Sequence, residues 1–361
     1  MKVLHLQLTG NPGGIVSLCR DIANNSDNDN IIYFLLDGGT VADAIKKDGH
    51  QVEISYTDKK HWIKSARKFY SFCMDNKIDV IVNHSNCPIA IFHAAYVKRR
   101  DNHIKWIMYV HSSPEDLSTK HKILYAPFIK YQIKHSDARI TISEFVKKSA
   151  SKVFKVDEKL LDVVYNGVDI SKYQIKDLSS SNSNKVRFIY VGRLLPYKGV
   201  HVLIEALSQL KDATNIQVDI VGEGPQRAEL EQQVEKYGMS EWVTFHGLRM
   251  DVPDLLRNAD FFVHPAVWNE GFGIALIEAM SVGLPCIAFK RGAIPEIIND
   301  GENGFIIDGI DSKKLADKIK KCAELRGSDE YRVMMKNAVS TAEKFSIRNM
   351  VDKLEAIMER C

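Results

Sequence analysis

Glu270 and Glu278 stand eight positions apart around a Gly-Phe-Gly turn in "NEGFGIALIEAM", residues 269–280. The run "FFVHPA" before them reads as a strand, "VWNEGFG" as its exit loop, and "IALIEAM" as a helix built from good helix formers. That order sets the backbone N–H groups of Gly271, Phe272, Gly273 and Ile274 at a helix N-terminus, where they lack intrahelical acceptors and carry positive partial charge. Glycine at 271 and 273 lets a bulky anion approach the backbone. Two acids beside an anion pocket would repel its ligand unless they bind the neutral parts of that ligand. Carboxylates accept hydrogen bonds from vicinal hydroxyls, and a nucleotide sugar has a sugar ring at each end of its diphosphate.

A second constellation fits the same ligand. "YVGRLLPYKG" sets Arg193 directly after Gly192 at a strand end, with Lys198 five residues on. Arg offers a planar fork and Lys a point charge, which suits a diphosphate that spreads its charge over several oxygens. In the first half, "LTGNPGGI" sets Gly13 and Gly14 at a strand-to-helix turn, either an anion-binding helix start or a plain structural turn. The dinucleotide fingerprint G-x-G-x-x-G is absent there. His111 ends the fourth apolar run of this half, in "VHSSPED", and His84 ends "DVIVNHS". Each is read as a ligand-facing residue or as a structural histidine.

The elements that must position these groups alternate along the whole chain. Apolar runs such as "KVLHLQL", "IIYFLL", "DVIVNH" and "KWIMYVH" are separated by helical stretches, and the alternation restarts at "KVRFIYVG". This is the pattern of parallel sheets built from βαβ units. With 361 residues the chain exceeds the ~250–300 at which a single core stops growing. The expectation is two doubly wound domains, 1–175 and 186–345. The Ser/Asn-rich stretch 176–185 is read as their linker, and residues 346–361 as an amphipathic last helix. Ligands of such sheets bind beyond the carboxyl ends of the strands, so the site is expected between the two domains.

Composition excludes several classes. At 45% hydrophobic and 26% charged the chain is ordinary globular material. Its six cysteines are scattered without C-x-x-C pairs, which argues against a disulfide framework or a structural zinc. No window holds the ~20 apolar residues of a membrane span, and the N-terminal run lacks a signal-peptide core. The net charge of +3 conceals a basic region between Lys98 and Lys155, with 13 basic against 5 acidic residues. That region reads either as solvated helix faces or as a surface for anionic membrane lipid. The expected location is the cytoplasm, with peripheral contact at the inner face of the cytoplasmic membrane; no nucleic-acid partner is expected.

At this point the chain resembles the retaining GT-B glycosyltransferases of the family-4 type. The resemblance rests on "NPGGI", His111, "NGVD" (166–169), "VGRLLPYKG", "VGEGP" (221–225), "FHG" (245–247), "NEGFGIALIEAMSVGLP" and "GAIPEIINDGENGFII", in that order. The E-x7-E spacing is met by Glu270 and Glu278. The resemblance implies an α/β GT-B fold, two Rossmann-like domains facing across a cleft with the last helix crossing back to the first. It also implies sugar transfer from a nucleotide diphosphate donor, commonly a UDP-sugar, to a glycan or lipid-linked acceptor with retention of configuration, in cell-surface polysaccharide synthesis. No metal or cofactor is implied.

Carried over by position, the resemblance gives Glu270, His111, Arg193 and Lys198 the catalytic roles. Gly14, Gly192, His246, Gly247, the amides of Gly271–Ile274, and Glu278 on the ribose join them in donor binding. Gly13, Gly14, His84 and His111 form the acceptor side. One departure is Ala293, where the family often has a second glycine before Pro-Glu. The alternatives are a nucleotide-sugar epimerase or hydrolase of the same fold and a non-catalytic nucleotide-sugar-binding subunit. A dehydrogenase ranks last because its glycine fingerprint is missing.

Overall fold

The computed structural model describes residues 1–11, 13–57, 61–176, 184–210 and 215–361. The described chain divides into two units, Met1–Gly167 with Ile347–Cys361, and Val168–Ser346.

The first unit is one parallel sheet. Its strands are β1 Lys2–Thr9, β2 Asp29–Asp37, β3 Gln51–Ile54, β4 Val80–Asn83, β5 Lys105–Val110, β6 Ala138–Thr141 and β7 Asp162–Val163. Their spatial order is β3-β2-β1-β4-β5-β6-β7. The helices between them are α1 Gly14–Asn25, α2 Gly39–Lys47, α3 Trp62–Asp75, α4 Pro88–Lys98, α5 Thr119–His135 and α6 Glu144–Phe154. A sheet covered on both faces needs strands that are apolar on both sides. Trp106, Ile107, Met108, Tyr109 and Val110 of β5 are accordingly all buried.

The second unit repeats the plan with β8 Val186–Val191, β9 Ile216–Val221, β10 Val243–Gly247, β11 Phe261–His264, β12 Cys286–Phe289 and β13 Gly304–Ile307, all parallel. The order is β10-β9-β8-β11-β12-β13. Its helices are α7 Val200–Ser208, α8 Arg227–Lys236, α9 Val252–Arg257, α10 Ile274–Ser281, α11 Ser312–Leu325 and α12 Asp329–Lys344. Phe188 and Phe261 stack at 5.4 Å between ring centres inside its core.

In both sheets the direction of winding reverses at one seam, β1/β4 in the first and β8/β11 in the second. Loops leaving the two strands of such a seam diverge and open a crevice at their carboxyl ends. These two seams are the positions the fold offers to a ligand.

The last helix, α13 Ile347–Arg360, returns to the first unit. It buries Ile347, Met350, Val351, Leu354, Ile357 and Met358 along one stripe. Its Glu355 carboxylate accepts hydrogen bonds from Ser26 Oγ at 2.5 Å and Asn28 Nδ2 at 2.8 Å.

Two expectations change. The edge strand β3, "QVEI", was absent from the sequence reading; four half-exposed residues give too short an alternation to stand out. The domain division also moves, because residues 168–175 belong to the second unit. Val168 N donates to Phe345 O at 3.0 Å. Lys176 Nζ is buried against Ala259 O at 2.5 Å and Asp260 Oδ1 at 2.6 Å, which anchors this segment well before the Ser/Asn stretch. Most of the expected linker, residues 177–183, lies outside the described residues.

Candidate functional site

The seam of the second sheet collects the groups singled out around Glu270. Gly192 and Arg193 follow β8, and a short 3-10 turn, Pro196–Lys198, carries Lys198 in the same loop. The neighbouring strand β11 ends on His264, and its exit loop runs through Glu270 to α10. Val267 N donates to Tyr197 O at 3.1 Å, so one loop is pinned to the other. Glu270 is held from behind as well: Ala293 N donates to its carbonyl at 2.8 Å. Gly292 beside it has φ +54°, and a Cβ there would collide with the Glu270 backbone. Glycine is required at 292 for both reasons.

Helix α10 begins at Ile274, and Gly273 before it has φ +114° with no side-chain cap. Leu276 N already donates to Gly273 O at 3.0 Å, so the amides of Ile274 and Ala275 are the ones at the helix start that no side chain caps. The Phe272 side chain is buried and meets the Phe345 ring edge-on at 5.4 Å, so it faces the core and not a ligand. Glu278 sits half-buried in the second turn of the same helix.

Electrostatics concentrate on Glu270. Its Oε2 accepts a hydrogen bond from Lys198 Nζ at 2.8 Å and lies 3.5 Å from His264 Nε2. Burial alone would push its carboxyl up; the adjoining His264 and the Lys198 charge outweigh burial and hold it at about 2. Arg193 contrasts with Lys198. It is exposed and makes no side-chain ion pair among the described residues, leaving its guanidinium open to an incoming anion.

His264 is a site residue that the sequence reading missed. It is 4% exposed, and neither ring nitrogen has a hydrogen-bond partner among the described residues. Its signal was present, since it ends a strand just as His84 and His111 do. His246, by contrast, has its own employment: Nε2 contacts Asp219 Oδ1 at 2.7 Å across β9 and β10. Gly247 accepts from Gly222 N at 2.8 Å through its carbonyl, which joins the β9 and β10 exits.

In the first unit, Gly13 precedes α1 in extended conformation and Gly14 opens the helix beside the β1/β4 seam. The three strand-end or strand-borne imidazoles are linked. His5 Nδ1 lies 2.9 Å from His84 Nε2, and His84 Nδ1 lies 2.8 Å from His111 Nε2. This corrects the acceptor-side role given to His84. Both its nitrogens are engaged and it is 3% exposed, so it stands behind His111 rather than beside a ligand. His111 is half-buried and keeps Nδ1 without a partner among the described residues.

Among the described residues, one group could jointly hold a metal: His5, Cys19 and His84, with candidate ligand atoms within 4.8 Å of one another. The residues fit a metal poorly. The two histidines already bond each other, the Cys19 sulfur accepts from Gln7 Nε2 at 2.9 Å, and burial pushes the Cys19 thiol up to about 12. A metal needs the thiolate.

Comparison with known proteins adds two family matches. The model described as "Glycosyl transferases group 1" matches residues 172–341, and "Glycosyltransferase Family 4" matches residues 13–172. WcaL of Escherichia coli strain K12, named for colanic acid biosynthesis, is 29% identical over 227 residues; these are 61% of this chain and 55% of that protein. N-acetyl-alpha-D-glucosaminyl L-malate synthase of Bacillus anthracis is 26% identical over 302 residues, 81% of this chain and 77% of that one. The solved structure of Anabaena Alr3699/HepE in complex with UDP shares the fold, with a TM-score of 0.88 at 24% identity, each chain covered in full.

Proposed function

The chain belongs to the GT-B glycosyltransferases of the family-4 type, and we propose that it moves a sugar from a nucleoside diphosphate donor to a hydroxyl of a glycan or lipid-linked acceptor. One observation carries the reading. The β8/β11 seam gathers an arginine with no ion pair among the described residues, a lysine, a deeply ionised glutamate and the uncapped start of a helix on two loops that are bonded to each other. Arg193, Lys198 and the first amides of α10 then take the diphosphate, Glu270 the hydroxyls of the transferred sugar, and Glu278 the ribose.

In this reading the acceptor oxygen bonds to the anomeric carbon while the bond from that carbon to the diphosphate breaks. The diphosphate leaves with the electron pair and its oxygen takes the acceptor's proton. Negative charge grows on the leaving group, where the two cations and the helix start are already in place; such preorganisation is usually the largest catalytic term. The positive charge growing on the sugar ring favours retention of the Glu270 carboxylate in its ionised form. Metal is not needed, since Arg193 and Lys198 supply the countercharge. A uridine donor is favoured because HepE is solved with UDP and with UDP-glucose. Polysaccharide synthesis is favoured by the relative named for colanic acid.

A lipid-linked acceptor and a peripheral place on an anionic membrane are supported from the first unit. A pocket of about 710 Å³ between α4 and α5 is lined by Phe92, Tyr96, Phe128 and Tyr131, with Arg99 and Arg100 exposed at its edge. Ile123 and Leu124 of α5 are 72% and 57% exposed among its lysines. No described helix is long and apolar enough to cross a membrane. Flotation with anionic vesicles, repeated in high salt, tests the contact; no flotation in low salt would reject it.

The reading as a whole is tested with a panel of nucleotide sugars. A ligand at a hundred times its Kd adds about 2.7 kcal/mol to stability, so the true donor raises the melting temperature and its nucleoside diphosphate does so as well. Arg193→Ala abolishes that rise at equal ligand. Sugar released from the donor with no acceptor present would point to the hydrolase instead.

A further inference from the structure

His5, His84 and His111 stand on β1 and beyond the ends of β4 and β5, and Asn30 stands on β2. Those four strands are consecutive in the sheet, so a line of polar side chains crosses it within an apolar interior. The direction of every hydrogen bond in this line follows from its far end. Asn30 Nδ2 donates to the carbonyl of Asn28 at 2.8 Å, which fixes the amide so that Oδ1 faces His5. A carbonyl oxygen can only accept. His5 Nε2, 2.9 Å away, therefore carries a proton, and in a neutral ring that leaves Nδ1 bare. His84 Nε2 must then donate to His5 Nδ1, which leaves His84 Nδ1 bare in turn. His111 Nε2 donates to that atom, and the line ends on an unprotonated His111 Nδ1.

We propose that Asn30, His5 and His84 are positioning residues that lock His111 in its Nε2–H form and present Nδ1 as a fixed hydrogen-bond acceptor for a ligand hydroxyl at the carboxyl edge of the first sheet. The assignment of that hydroxyl rests on the glycosyltransferase reading; the lock itself does not.

The line could in principle run the other way, with one added proton entering at His111 Nδ1 and the charge passing to His5. Two features oppose it. The line stops at an amide, which cannot take the proton on. The charge would also rest on buried rings: burial lowers His5 to about 4 against the Asn30 bond, and lowers His111 to about 3. Tyr109 closes one side, its ring 4.3 Å from that of His111 and 5.3 Å from that of His84.

The test is a long-range proton–nitrogen correlation spectrum of the ligand-free protein labelled with 15N in histidine. All three histidines are expected as neutral Nε2–H rings, with His111 Nδ1 giving the signal of an unprotonated nitrogen. Protonation at His111 Nδ1, in either a neutral or a cationic ring, overturns the lock in wild-type protein without any substitution. Asn30→Leu removes the accepting carbonyl. His5 then keeps fewer unpaired N–H groups by turning its proton to Nδ1, an unpaired N–H being the costlier orphan. The whole line inverts, and His111 becomes Nδ1–H. A folded Asn30→Leu protein with His111 still Nε2–H would also overturn the lock. Turnover in that variant falls about tenfold, the worth of one hydrogen bond, with the protein's affinity for the nucleoside diphosphate unchanged. Absent transfer by wild-type protein that shows the expected nitrogen signals would fault the function and leave the lock standing.

Discussion

Lys198 and Glu270 meet at 2.8 Å, although 72 residues separate them in the chain and they ride on loops from neighbouring strands. The cation proposed for the donor and the acid proposed for its sugar thus neutralise each other in the ligand-free chain. On the proposed function, a diphosphate draws on a lysine already bonded, and the acid released from that bond turns to the hydroxyls. Lys198→Ala is expected to lower turnover by about 10²–10³, the usual effect of removing one stabilising donor. Glu270→Ala should do comparable damage, and the double variant little more than either alone, because residues that act as one unit are far from additive. Turnover assays on the three variants check this; independent, multiplying losses would contradict it.

Acid stability reports the same pair. Glu270 is ordinarily a carboxyl near 4.5 and is held at about 2 in the folded chain. A depressed acid stabilises the fold above its ordinary value, where it is ionised in both states. That contribution drains away as pH falls from 4.5 toward 2, since the unfolded chain takes up the proton first. The melting temperature of wild-type protein should therefore exceed that of Glu270→Gln by more at pH 6 than at pH 2.5. A gap independent of pH would show that the carboxylate gains nothing from its neighbours.

Gly292 separates geometry from chemistry. With φ +54° and the Glu270 backbone where its Cβ would go, Gly292→Ala must both strain the chain and displace the acid. Gly309 has φ +79° with nothing within 4 Å of the same position. Left-handed backbone alone costs about 1–2 kcal/mol per residue, so Gly309→Ala should lose that much stability and keep its turnover. Gly292→Ala should lose more stability and most of its turnover. Equal behaviour of the two in thermal melts and assays would refute the cradle.

The last helix offers a stability prediction far from the site. Leu354 is fully buried in the first unit, and Leu354→Ala is expected to cost about 2–5 kcal/mol. Urea unfolding followed by probes in each unit should show the transition of the first unit moving while that of the second stays near its place.

What was legible in the sequence was local. The Glu-Gly-Phe-Gly stretch and the Gly-Arg…Lys loop declare themselves because each packs its special residues into about ten positions, and the alternation of apolar runs discloses parallel sheets. What was hidden depends on pairing across the chain. His264 looks like any strand-end residue until Glu270 is found 3.5 Å away. The His5–His84–His111 line spans 106 positions and exists only because β1, β4 and β5 lie side by side. The division at 167/168 was missed for the opposite reason: the Ser/Asn stretch advertises a junction, whereas Lys176, a surface residue by type, is buried against Asp260.

The return of α13 to the first unit has a bearing on how the chain matures. During synthesis the first 167 residues leave the ribosome well before the helix that covers their apolar groove, and everything from Val168 to Ser346 must emerge in between. The second unit is contiguous in sequence, whereas the first is completed only once residues 347–360 have been made. Until then the surface that Ile347, Met350, Val351, Leu354, Ile357 and Met358 cover stays bare on the segment made before it.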